Sequence, residues 1–101
     1  MAIRAFRQRK PPVDRTFKVV RITSMYGACK CIKAYIGNQV VGDSHFDAVN
    51  RIWLLDYTKP DGALIETQLP CGDDFNSSME EVEFIFTQSY LQHHSALAEV
   101  A

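Results

Sequence analysis

The chain has 101 residues, 47% of them apolar and 23% charged, the proportions of one ordinary globular domain. They exclude a collagen, a coiled-coil rod, a disulfide-dense mini-protein and a wholly disordered chain, and the length allows one core without staples. The net charge of −1 taken alone gives no case for nucleic acid, membrane or an acidic partner.

Residues 1–15 read as a basic flexible arm and residues 16–101 as a single α+β domain. Met1 to Arg7 begins with positive charge but lacks the apolar run of a signal peptide. The longest apolar run, Ile52-Trp53-Leu54-Leu55, is far short of a membrane span. Three cysteines, an odd number, fit a reducing compartment. The expectation is a cytoplasmic protein, in its own or a host cell, that is not secreted. In the arm, Pro11-Pro12 forbids a continuous helix.

Thr16 to Thr23 is rich in β-branched and aromatic residues and predicts a first strand. Phe17, Val19 and Thr23 share one side with Arg21, and Val20 and Ile22 share the other. Residues 24–28 read as a loop. Cys29 to Ile36 predicts a second strand, with Ile32, Ala34 and Ile36 on one face. Gly37-Asn38 is a tight connection into Gln39-Val40-Val41, and Gly42-Asp43-Ser44 breaks the pattern. Residues 44–57 satisfy two periods, so the expectation is a helical turn at 44–50, capped by Asp43 or Ser44, then a strand at 51–58.

Lys59-Pro60-Asp61-Gly62 is the sharpest local signal. Pro suits the first central turn position and Gly accepts positive φ. Ala63 to Leu69 returns as a strand, stopped by Pro70. Ser78 and Glu81 match a capping box. Val82, Phe84 and Phe86 nevertheless alternate, so a strand is expected to about residue 88 and helix over 89–99. The alternative is one helix bearing Met79, Val82, Phe86, Tyr90 and Leu97. The sum is an α+β fold: a mostly antiparallel β-sheet, or a small partly open barrel, of about five strands with one or two short helices. The expected core is Val19, Ile22, Ile32, Ile36, Trp53, Leu55, Ile65, Leu69, Val82, Phe84 and Phe86.

Charge is segregated along the chain. Residues 1–33 carry nine Lys and Arg against Asp14 alone, a net of +8; residues 34–101 carry two against eleven acids, a net of −9. Such asymmetry points to an interaction tail or a charged partner. Three arrangements follow from it: the two ends of one chain neutralise each other, the basic end binds phosphate backbone, or it meets the acidic surface of another copy. The basic candidates for partner or nucleic-acid binding are Arg4, Arg7, Arg9, Lys10, Arg15, Lys18, Lys30 and Lys33, with Phe6, Phe17 or Tyr26 available for stacking. The acidic association face is expected at Asp73, Asp74, Glu80, Glu81 and Glu83.

Motifs for chemistry are poor. Cys29, Cys31, Cys71 and His93 list the donors of a zinc site, and His94 is an alternative, but Cys-x-Cys with a lone Cys71 is not a familiar spacing. Cys71 with His45, His93 or His94 lists the ingredients of a cysteine hydrolase, without a nucleophile elbow, a phosphate loop or a His-Glu-x-x-His pattern. No catalytic residue, metal or cofactor is therefore assigned. The expectation is a non-enzymatic interaction protein that associates with itself or a larger protein partner, a build common among viral and phage accessory or virion proteins. An RNA- or DNA-binding protein using the arm is the alternative, and a zinc-stabilised structural domain the third.

Overall fold

The computed structural model describes residues 15–23 and 29–95; the arm expected at 1–15 lies outside them except for Arg15. Five strands and one helix follow in chain order: β1 (Phe17–Thr23), β2 (Cys29–Ile36), β3 (Gln39–Asp47), β4 (Ile52–Thr58), β5 (Leu64–Pro70) and α1 (Phe75–His93). The strands form one antiparallel sheet in the order β1-β2-β3-β4-β5. The sheet is an open meander, as expected from the α+β reading. Among the described residues no helix is long and apolar enough to cross a membrane.

Each hairpin has a local cause. Gly37 takes φ 60 between β2 and β3. Gly62 takes φ 90, and its N–H donates to the Lys59 carbonyl at 2.9 Å, closing the Pro60-Asp61 turn. Pro70 ends β5, an edge strand, where its missing N–H costs no ladder bond. Between β3 and β4 the expected helical turn at 44–50 is overturned. Residues 44–47 continue β3, and Gly42 and Asp43 lie inside the strand instead of breaking it. Asp47 organises the turn instead: Oδ1 accepts from the N–H of Val49 at 3.0 Å and of Asn50 at 3.2 Å, and Oδ2 from Asn50 Nδ2 at 2.8 Å.

The register places Phe17, Val19, Ile32, Ala34, Ser44, Trp53, Leu55 and Tyr57 on one face, and α1 covers it. Met79, Val82 and Phe86 of the helix are buried against this face. The expected strand through residue 88 is therefore replaced by a helix of 19 residues. Asp74 is its N-cap, its side chain accepting from the Asn76 N–H at 3.0 Å; the expected Ser78 capping box lies one turn inside the helix. Trp53 Nε1–H donates to Ser78 Oγ at 3.0 Å, which satisfies the one polar atom of a fully buried indole. Phe17 stacks on Tyr90 with ring centroids 4.3 Å apart, tying the first strand to the helix. Two expected core residues are outside it. Ile22 is 40% exposed on the uncovered face of the sheet, and Phe84 is 61% exposed on the outer side of α1.

Candidate functional site

With one helix on one face, the opposite face of the five-stranded sheet has no covering element among the described residues. Side chains alternate along strands, so the pairings define rows across this open face. The central row reads Val20, Lys33, Asp43, Asp56, Glu66 from β1 to β5. One flanking row reads Ile22, Cys31, His45, Leu54, Gln68, and the other Lys18, Tyr35, Val40, with Thr58 and Leu64 continuing it on β4 and β5. A charged row thus crosses the face between two rows richer in apolar groups. An open depression lies among His45, Leu54, Asp56, Glu66 and Gln68.

The charge changes sign along the central row. Lys33 stands on β2, while Asp43, Asp56 and Glu66 are direct cross-strand neighbours on β3, β4 and β5. Like charges directly opposed in a sheet are destabilising. On the basic side, Lys18 Nζ lies 5.7 Å from the centre of the Tyr35 ring, within cation–π range. The Cys31 thiol donates to Asp43 Oδ1 at 3.7 Å. Burial, then the neighbouring Asp43 carboxylate, pushes the Cys31 thiol above its ordinary value, which keeps it protonated and a poor nucleophile.

The sequence-derived candidates are only partly brought together. Arg4, Arg7, Arg9 and Lys10 lie outside the described residues. Arg15 and Lys30 are exposed beside β1 and on β2, while Lys18 and Lys33 lie on the open face. The acidic set Asp73 to Glu83 does not form one free face. Asp74 caps α1 and also accepts from Ser77 Oγ at 2.8 Å, contacts that hold its carboxyl below the ordinary range. Glu83 accepts two hydrogen bonds from Arg21, both at 2.8 Å. That fork is the one point at which the described structure joins the basic and acidic ends by an ion pair. Asp73, Glu80 and Glu81 remain exposed.

Asp43, Asp56 and Glu66 were missed by sequence reading. Each is an ordinary polar position on its own strand, and they align only after two hairpins set the register. The turn signal at Lys59 to Gly62, which joins β4 to β5, held part of that information.

The zinc donors do not converge. A register shift between β1 and β2 at Ile22/Thr23 puts Cys29 and Cys31 on different sides of the strand. Cys29 packs against the helix-side core and Cys31 faces Asp43. Residues two apart on a regular strand point the same way, and this bulge breaks that relation. Cys71 lies at the other end of the sheet, 3.7 Å from Ser78 Oγ and 3.9 Å from Arg51 Nη2. Among the described residues no three His, Cys, Asp or Glu side chains gather closely enough for a metal ion. His45 stands opposite Cys31 and Leu54, and His94 faces Tyr57, so the contacts of Cys71 are Ser78 and Arg51 rather than a histidine.

Searches of protein-family models, curated proteins and solved structures find no match to this chain.

Proposed function

We propose that this protein is a non-enzymatic association module that binds protein partners, its own copies among them, through segregated charge on the open sheet face. The supporting observation is the row from Lys33 to Asp43, Asp56 and Glu66. Three adjacent carboxylates gain nothing for the isolated fold, but they provide a surface that a cationic partner neutralises. Val20, Ile22, Val40 and Leu64 surround the row and are exposed, giving apolar area to bury on contact. The arm residues Arg4, Arg7, Arg9 and Lys10 add cations at the basic end of the same chain.

One observation favours nucleic acid as a second reading: Lys18 over Tyr35, with Lys33 on the adjoining row, pairs an aromatic ring with phosphate-seeking cations. Sedimentation of the full chain at about 0.05 M and about 0.5 M salt, with absorbance read at both protein and nucleic-acid wavelengths, separates the two. Association through segregated charge gives a species heavier than one chain at low salt that shrinks at high salt and carries no nucleic acid. A single-chain mass at both salts, at high protein concentration, defeats self-association. Bound nucleic acid that is lost when residues 1–15 are deleted supports the second reading instead.

A further inference from the structure

We infer that the open face is the interface of a two-fold dimer, in which β1 and β2 of each copy lie over β4 and β5 of the other. This rests on the association reading and names its partner as a second copy. Seven large apolar side chains are exposed among the described residues, and four of them, Val20, Ile22, Val40 and Leu64, stand on this one face. The face is also self-complementary in charge: Lys18 and Lys33 stand on β1 and β2, and Asp56 and Glu66 on β4 and β5.

Only one direction of the two-fold uses that complementarity. An axis along the strands lays β1 and β2 over the partner's acidic β4 and β5, twice by symmetry. An axis across the strands lays each strand over its own copy, opposing like charges throughout. With the axis along the strands, β3 lies at the centre, where Asp43 keeps Lys33 of its own sheet beside it. Lys33 then sits between Asp43 of its own chain and Asp56 of the other.

Two sheets stack about 10 Å apart, close enough for long side chains on facing rows to meet. A face of five strands about 4.8 Å apart is roughly 20 Å across. With strands running roughly 25 Å, each copy offers about 500 Å², less than the about 800 Å² per partner of a standard interface. The dimer is accordingly weak and sensitive to both concentration and salt.

The test is charge reversal with complementation between chains, read by sedimentation velocity at low salt. Lys33→Glu and Asp56→Lys are prepared separately and checked for folding by circular dichroism. Each variant alone is expected to dimerise about tenfold more weakly or worse than wild type. Mixed in equal amounts, they are expected to recover a heterodimer. In that pair one contact is reversed on both sides and the symmetry-related contact is native. Phe84→Ser, on the outer side of α1, is expected to leave the dimer unchanged. If either reversal prevents folding, Val20→Glu, which sets a carboxylate over Glu66 of the other copy in the same row, is expected to weaken the dimer, and Val20→Lys to strengthen it.

A wild-type dimer indifferent to these reversals, a mixture that stays monomeric, or a dimer lost with Phe84→Ser overturns the open-face interface while self-association stands. A wild-type chain that is monomeric at every concentration and salt overturns both this inference and the self-association on which it rests.

Discussion

At the scale of single residues, the helix approaches the sheet backbone closely at Gly42. This glycine sits in β3 with the Phe86 ring directly above it. A Cβ added there would stand 2.8 Å from Phe86 Cε1 and 2.9 Å from the Ala34 methyl. Neither neighbour has free space to retreat into, since Phe86 and Ala34 are both fully buried. Gly42 is therefore required by close approach of a ring to the backbone. Gly42→Ala should destabilise the fold by about 1–3 kcal/mol, the usual cost of overpacking a filled core. Equilibrium urea unfolding gives the difference directly, and an unchanged midpoint would show that α1 lifts away from the sheet at little cost. The exposed Val49 makes the contrast: it lies in the β3–β4 turn, and its side chain contributes nothing comparable to stability.

At the scale of elements, α1 shows what sequence reading could and could not reach. Val82, Phe84 and Phe86 alternate as a strand would. The feature that separates the two readings is Phe84, which is apolar yet exposed, while Met79, Val82 and Phe86 make the buried helical stripe. An exposed phenylalanine erases the local pattern, and only the sheet below decides which aromatic turns inward. By contrast, the hairpins at Gly37 and Pro60-Asp61-Gly62 were legible because positive φ has few residue solutions. The open-face row was not legible, because it is assembled from five strands at once.

The far end of α1 is fastened to β4 by Tyr57, whose hydroxyl lies 2.7 Å from His94 Nδ1. Burial, with the Tyr90 hydroxyl nearby, raises the Tyr57 phenol to about 12, so it stays a donor. Burial, then the neighbouring His93, lowers His94 below its ordinary 6.5, and the neutral ring accepts the bond. A group whose folded value is depressed binds more protons when unfolded, so its stabilisation is complete above about pH 6.5 and is lost as pH falls through the folded value. Urea unfolding should therefore show a loss of stability between about pH 7 and pH 5. His94→Gln should flatten that slope, and a slope that survives the substitution would assign the protons elsewhere. Asp47 and Asp74 also have lowered values, but their losses belong below about pH 4.

At the scale of the whole molecule, a near-zero net charge conceals a division that the fold turns into a pattern in space. The basic strands form one end of the meander, and the acidic residues of β3 to β5 follow across the sheet. The fold joins the two ends by the Arg21–Glu83 fork, an exposed pair that contributes little, and leaves the open-face carboxylates side by side. Asp56 is the most exposed to this repulsion, with Asp43 on one side and Glu66 on the other. Asp56→Asn removes both like-charge contacts, each worth about 0.2–1 kcal/mol at low salt. The dilute, monomeric variant should therefore melt a few degrees above wild type, and the gain should fade as salt screens the row. The same substitution removes a charge that Lys33 of a second copy would meet, so self-association should weaken while the fold strengthens. A side chain needed only for folding cannot give changes of opposite sign in these two measurements. If thermal stability and dimer affinity rise together, the row does not serve association; if they part, its cost to the single chain is the cost of keeping a surface ready for another.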